Sequence, residues 1–392
     1  MKIVVKKFGG TSVSTTERIE FLAEKLVKER SVDEQVVIVV SAMGDTTDNL
    51  FSLAYQICDK PYQRELDMLA TAGERISMSL LSIALHKYGA TAISFTGSQS
   101  GIITDNNHGN AGIINVSAFR IREELAKGKF VIVAGYQGVS LEKEVTTLGR
   151  GGSDTTAVAL AGYLNAERCE IYTDVDGVYT ADPNSVSDAQ KIDTISYGNL
   201  LYLAKSGCKV VHPRAVEFAL KYNVELEIKS SFNNSKGTVV KREISMEEKE
   251  IRAITGRKRL TAVDIKLNKD GVEERVTAAL SGNNPEICDY SIVESGLFRI
   301  VVEEKDTDVL IKQLAEYQIG DYQVHKGLSS ITLTGLKVSS DLNLLGEILV
   351  YFREKGRQIF WLTKTQLGFT VYLIGKCDKV EIDDIHRLFV NN

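Results

Sequence analysis

Three stretches of the sequence gather residues able to handle phosphate and carboxylate groups. The first is Lys7-Phe8-Gly9-Gly10-Thr11-Ser12. Adjacent glycines let backbone N–H groups approach an anion, and Lys7 adds a compact positive charge beside them. The spacing is not that of a Walker A loop, which needs GxxxxGK[ST]. The second runs from Thr146 to Thr156 and sets Arg150 among Gly149, Gly151 and Gly152, followed by Ser153 and Asp154 at the start of an apolar helical pattern. Arg150 can fork a carboxylate, and the loop around it is an anion cradle. The third, Thr173 to Pro183, offers Thr173, Asp174, Asp176 and Tyr179: carboxylates, a hydroxyl and an aromatic edge suited to a nucleotide. As a calcium loop it fails, for it lacks the EF-hand spacing and terminal glutamate. No His, Cys or Asp cluster has metal-ligand spacing, so no protein-caged metal is expected.

The elements that must carry these motifs follow from hydrophobic patterning. Apolar strand-like runs at 3–8, 35–41, 91–96, 130–135, 169–173 and 224–229 alternate with helical patterns at 16–30, 46–58, 64–88, 117–127, 153–164, 197–206 and 214–222. Val/Ile runs separated by helices predict a mainly parallel sheet sandwiched by helices, with the wholly apolar 36–40 and 130–134 at its centre. Glycines cluster where the strands end (Gly9, Gly10, Gly44, Gly97, Gly101, Gly135, Gly138), and ligands of such sheets bind beyond the strands' carboxyl ends. The charged stretch 241–250 reads as a linker between a domain at 1–240 and a second region at 251–392. In that region strands at 260–267, 297–303, 330–336, 358–363 and 369–375 alternate with helices at 271–282, 306–317, 341–355 and 379–389. This predicts two small βαββαβ modules of ferredoxin-like type.

Composition narrows the function classes. The 392 residues are 43% hydrophobic and 25% charged, with 47 basic and 52 acidic side chains, so no basic field points to nucleic acid. The longest apolar runs are too short to span a bilayer, and the opening residues lack a signal peptide's apolar core. Five scattered cysteines without a CxxC pair suit a reducing compartment, so a cytoplasmic location without membrane or nucleic-acid partners is expected.

Taken together, the motifs resemble the aspartate kinases of the amino acid kinase family. The likeness rests on Lys7 to Ser12, Val40-Ser41-Ala42-Met43-Gly44, Ala72-Gly73-Glu74, Thr146 to Asp154, Thr173 to Pro183 and Lys209-Val210-Val211-His212-Pro213, which occur in family order. The resemblance implies an amino acid kinase fold followed by paired ACT-type modules. It also implies transfer of the γ-phosphoryl group of ATP to the side-chain carboxylate of L-aspartate, the first step of aspartate-family amino acid biosynthesis. ATP would be co-substrate, with Mg²⁺ arriving on the nucleotide. Since an aspartate side chain with a pKa near ~3.9 is already an anionic nucleophile at pH 7, such a transfer needs no general base. By resemblance, Lys7 and Asp154 are the catalytic pair. Ser41, Thr47, Glu74, Arg150, Gly151, Gly152 and Ser153 bind substrate, Arg150 holding the α-carboxylate and Glu74 the α-ammonium. Lys7, Phe8, Gly9, Gly10, Thr173, Asp174, Tyr179 and Lys209 serve the nucleotide. A kinase with another small carboxylate acceptor would be expected to alter Glu74 or Arg150, and a non-catalytic amino-acid sensor to lose Lys7 or Asp154; all four are present.

Two departures stand out. Asn184 occupies a position where relatives carry a nucleotide-touching arginine. The turns after each module's first strand, Asn268 to Val272 and Ser339 to Asn343, lack the Pro-Gly pair of regulated relatives. The expectation is a homodimer through 251–392, built on the strands at 297–303 and 369–375, with weak or absent inhibition by lysine or threonine.

Overall fold

Every residue of Val36–Val40 and of Phe130–Ala134 is buried, as central strands covered on both faces must be. The computed structural model describes residues 1–242, 253–267, 271–280, 285–294, 296–335 and 338–390. Most of the stretch 241–250 read as a linker, and residues 268–270 of the first module's turn, lie outside the described residues. The chain divides into two units: Met1–Val178, Lys191–Leu201 and Lys209–Met246 in one; Tyr179–Gln190, Tyr202–Cys208 and Glu247–Asn392 in the other.

In chain order the first unit carries β1 (Lys2–Phe8), α1 (Thr16–Glu29), β2 (Glu34–Val40), α2 (Thr46–Ile57), α3 (Gln63–Ala70), α4 (Ala72–Lys87), β3 (Ala92–Phe95), β4 (Ile102–Thr104), β5 (Ile113–Val116), α5 (Phe119–Ala126), β6 (Phe130–Ala134), β7 (Gln137–Ser140), β8 (Val145–Thr147), α6 (Gly152–Leu164) and β9 (Arg168–Thr173). There follow β10 (Val178–Tyr179), β11 (Lys191–Ile192), β12 (Thr194–Ser196), α7 (Tyr197–Lys205), α8 (Pro213–Tyr222), β13 (Leu226–Ser230) and β14 (Thr238–Lys241). The main sheet has the order β12-β14-β13-β9-β1-β2-β6-β3, and only the β13–β14 pairing is antiparallel. A smaller sheet, β5-β4-β7-β8, was not legible as strands. On one face Phe8, Val36, Ile38, Val40 and Ile132 pack against Ile19, Leu22 and Leu26 of α1 and Leu81 and Leu85 of α4. The i, i+3, i+7 spacing of the α1 residues gives that helix its apolar stripe, and Thr15 caps it by accepting from the Arg18 N–H at 3.3 Å. Helix α6 packs against β1, β2 and β9 and is apolar on nearly every side, as a helix enclosed all round should be.

Polar pairing also lies within this sheet. Lys6 and Glu170 are both buried, 3.3 Å apart, and Lys229 and Arg168 approach the same carboxylate at 3.2 and 2.8 Å. Burial works against the charged form of Glu170, but these three cations outweigh it and hold the carboxyl down to about 2.

The second unit contains β15 (Ala253–Lys266), α9 (Val272–Leu280), β16 (Ile287–Glu294), β17 (Leu297–Glu303), α10 (Thr307–Glu316), β18 (Tyr322–Thr334), α11 (Leu342–Glu354), β19 (Ile359–Thr365), β20 (Gly368–Ile374) and α12 (Lys379–Phe389). They form one antiparallel sheet, β16-β17-β15-β18-β20-β19. Strands β15 and β18 are longer than their sequence patterns predicted because each serves two βαββαβ modules. A bulge between Arg257 and Leu260, with Arg259 at φ +58°, marks the junction on β15. One module's core gathers Val263, Val276, Ile300 and Leu310; the other's gathers Ile331, Ile348, Phe352 and Val371. The strands expected to form an interface, 297–303 and 369–375, correspond to β17 and β20. Each has a neighbour on both sides, which consumes both rows of backbone hydrogen bonds, so the free edges are β16 and β19.

Candidate functional site

Beyond the carboxyl ends of β1, β2 and β6 lies a cavity of about 280 Å³, lined by Lys7, Gly10, Ser41, Ala42, Gly44, Thr47, Glu74, Tyr136, Gly149, Arg150, Gly151, Gly152, Ser153 and Asp154. Ten of the residues singled out from sequence therefore converge on one space. At its floor Lys7 Nζ stands 2.7 Å from Asp154 Oδ1, both side chains only 12% exposed. The sheet register fixes Lys7 between Val39 and Ile171, while Asp154 sits in the first turn of α6, where the helix dipole favours an anion. The second Asp154 oxygen accepts the His212 N–H at 3.3 Å. His212 itself caps α8 by accepting the Arg214 N–H, ahead of Pro213 at the first helical position, so the His-Pro motif is a structural cap. Gly151, at φ +64°, abuts this cap: a Cβ there would fall 2.1 Å from the His212 ring.

Glu74 also lines the cavity, from the first turn of α4. Ser77 Oγ donates to the Ser41 carbonyl at 2.7 Å, joining α4 to the end of β2, and the Ala42 N–H donates to Glu74 Oε1 at 3.3 Å. The other oxygen, Oε2, is buried without a hydrogen-bond partner. Burial raises the Glu74 carboxyl to about 7, only partly offset by the backbone N–H groups facing it. A buried, under-satisfied carboxylate facing a cavity is built to receive a cation. Arg150, which is exposed, lines the same cavity.

The remaining expected residues lie elsewhere. The Phe8 ring is buried and stacked on Tyr172 with centroids 4.6 Å apart, so only its main chain can face a ligand, and its carbonyl already accepts the Ser41 N–H. Gly9 does not line the cavity; its N–H donates to the Tyr172 carbonyl. Thr173 and Asp174 follow β9, with the Thr173 hydroxyl donating to Asp174 at 2.9 Å. Lys209 is exposed in the segment between α7 and α8. Tyr179 belongs to the second unit.

Of the four lining residues given no role from sequence, Ala42, Gly44 and Gly149 lie inside the quoted motifs, and Tyr136 was overlooked. Tyr136 has the clearest missed signal, since it directly follows a wholly apolar strand and Gly135. Its backbone sits at φ +70°, held by its N–H on Thr156 Oγ1 at 3.1 Å. Ser12, quoted only as part of the first motif, and Ser231 were given no role from sequence. Ser12 Oγ donates to Ser231 Oγ at 2.8 Å, and the Ser231 N–H donates to the Thr173 carbonyl at 3.0 Å. These bonds tie the ends of β9 and β13 to the Gly9–Gly10 turn.

Comparison with known proteins identifies the family. The model of the amino acid kinase family matches residues 2–230. The aspartokinase of Geobacillus stearothermophilus is 42% identical over 396 residues, covering 99% of this chain and 97% of that protein. Aspartokinase 2 of Bacillus subtilis is 40% identical, covering 99% and 98%. Among solved structures, E. coli aspartokinase III in complex with aspartate and ADP superposes with a TM-score of 0.85 at 23% identity, covering 99% of this chain and all of that one, a likeness of fold.

Proposed function

The chain belongs to the amino acid kinase family as an aspartokinase, and we propose that it transfers the γ-phosphoryl group of ATP to the side-chain carboxylate of L-aspartate at the Lys7–Asp154 pair. Two anions must be brought together and the charge spreading over the transferred group neutralised; positioning and electrostatics carry such a reaction. Lys7 is placed to face the phosphoryl oxygens, with Asp154 aiming its ammonium, and the main chain near Gly10 completes the cradle. Glu74 receives the acceptor's α-ammonium and Arg150 its α-carboxylate, leaving the β-carboxylate directed at the floor. Ser41, Thr47, Gly151, Gly152 and Ser153 close the walls around it. Thr173, Asp174 and Lys209, with Tyr179 by resemblance, serve the nucleotide.

The observation that carries this reading is one cavity lined by a Lys–Asp ion pair, a buried carboxylate without a full set of partners and an arginine. Mg²⁺ would neutralise phosphate charge while riding on the nucleotide. Of the carboxylates that line the cavity, Glu74 and Asp154, Asp154 stands beside Lys7 and would be the one to face such an ion, held largely by phosphate and water. The reading extends to a cytoplasmic homodimer through 251–392. Its support is the open edge of β16, where Tyr290 and Ile292 are exposed. The test is ADP release from ATP·Mg²⁺ with aspartate, glutamate, N-acetylglutamate or UMP as acceptor. Turnover confined to aspartate is expected, and equal turnover with another acceptor would overturn the assignment of the walls.

A further inference from the structure

One buried and one part-buried charge outside the cavity converge on the loop that carries Arg150. Asp67, on α3, is 2% exposed and fully engaged. It accepts from Thr147 Oγ1 at 2.6 Å, from the Gly109 N–H at 3.1 Å and from His108 Nδ1 at 2.7 Å. Arg214, in the first turn of α8, donates to the Leu148 carbonyl at 2.7 Å, to the Ala111 carbonyl at 2.6 Å and to Asn110 Oδ1 at 3.3 Å. The anion thus grips Thr147 and the turn at 108–109, and the cation grips Leu148 and the same turn at 110–111. The Ala111 N–H adds a bond to the Thr147 carbonyl at 2.8 Å. Gly149 then lies flat on the clamped turn at φ +74°, where a Cβ would fall 2.7 Å from Asn110 Oδ1. Arg150 is the next residue.

Where the backbone of Arg150 sits depends on what holds the glycine-rich loop at each end: the Gly152 N–H on the Gly149 carbonyl at 3.0 Å from the α6 side, and the clamped Thr147–Leu148 segment from the other. Neither clamp touches the cavity. We propose that Asp67 and Arg214 are positioning residues for the acceptor: by locking Thr147–Leu148 onto the 108–111 turn they fix Gly149–Arg150 at the distance from Glu74 that an amino-acid backbone requires. This deepens the reading above and rests on Arg150 binding the acceptor.

The test measures aspartate and ATP KM values and kcat in the full-length enzyme. The variants are Asp67→Asn, Thr147→Val, Thr147→Ser, His108→Ala and His108→Asn, each also combined with Arg150→Ala, with thermal unfolding in parallel. Losing the clamp should raise the aspartate KM by about ten-fold or more while the ATP KM stays within about two-fold, since misplacement by an ångström is costly at a reacting centre. Thr147→Ser and His108→Asn, which keep a donor in place, should recover most of the loss. In the Arg150→Ala background the clamp variants should add little, because both changes remove one interaction. If Arg150→Ala alone leaves the aspartate KM unchanged, the reading of Arg150 fails. If it raises that KM but the clamp variants move both KM values equally, shift only the unfolding temperature, or multiply with Arg150→Ala, the clamp proposal fails. Should Asp67→Asn not fold, the Thr147 pair decides alone.

Discussion

Replacing Glu74 by Gln should make the empty protein more stable and the enzyme worse. The carboxyl is buried, one oxygen lacks a partner, and burial lifts it from 4.5 to about 7. A carboxyl that holds its proton more tightly folded than unfolded contributes most below pH 4.5, and that contribution is lost as pH rises towards 7. At 1.36 kcal/mol per pH unit, ionising Glu74 in the empty site costs about 3 kcal/mol above pH 7. Glutamine removes this cost, so Glu74→Gln should unfold at a higher temperature than wild type at pH 8, the advantage vanishing near pH 4.5. Binding runs the other way. Only ionised Glu74 pairs with the acceptor's ammonium, so the wild-type aspartate KM should rise about ten-fold from pH 8 to pH 6, where roughly one molecule in eleven is ionised. The variant's KM should be raised by about 100-fold, the scale of a buried charge-assisted bond, and be flat over that range. Differential scanning calorimetry at pH 5 and 8 and initial rates from pH 6 to 8 measure both. A lower unfolding temperature for the variant at pH 8, or a wild-type aspartate KM independent of pH, would refute the reasoning.

Three further outcomes are expected. Arg150→Lys keeps the charge but loses the fork, so the aspartate KM should rise about ten-fold with the ATP KM unchanged; weakened ATP binding would assign Arg150 to the nucleotide. Glu170→Gln strands the buried Lys6 and should cost about 3–5 kcal/mol of stability at pH 7 by denaturant unfolding. In wild type the contribution of Glu170 should be lost as pH falls from 4.5 towards 2. Millimolar lysine, threonine or both should leave the rate near its uninhibited value. The 338–340 turn is a short 3-10 helix leading into an Asp341 cap rather than a glycine turn open to a ligand backbone, and strong inhibition would contradict this.

What could be read from the sequence, and what could not, follows from which interactions are local. Strands 36–40 and 130–134 declared themselves because burial on both faces demands apolar residues throughout. The helix predicted over 64–88 is divided into α3 and α4 by a one-residue break at Thr71, whose backbone stays near-helical at φ −62°, ψ −12°, so periodicity runs through it. The sheet of β4, β5, β7 and β8 escaped notice because its strands are three or four residues long, too short to display an alternation. In the second unit, Arg257-Lys258-Arg259 ended the apparent strand at a bulge that β15 continues through. The cavity's charged residues were readable from motif chemistry. Tyr136, Asp67 and Arg214 were not, since their positions depend on long-range packing: a left-handed residue after a strand, and two charges paired with loops distant in the chain.

The central claim is that Lys7 and Asp154 act as one unit on the transferred phosphoryl group. Its most direct test is kcat, at saturating ATP and aspartate, for Lys7→Ala, Asp154→Ala and the double variant. The account predicts a fall of roughly 10²–10³ in each single variant, the scale of one preorganised charge, and little further loss in the double. Near-normal turnover in either single variant, or losses that multiply in the double, would contradict it.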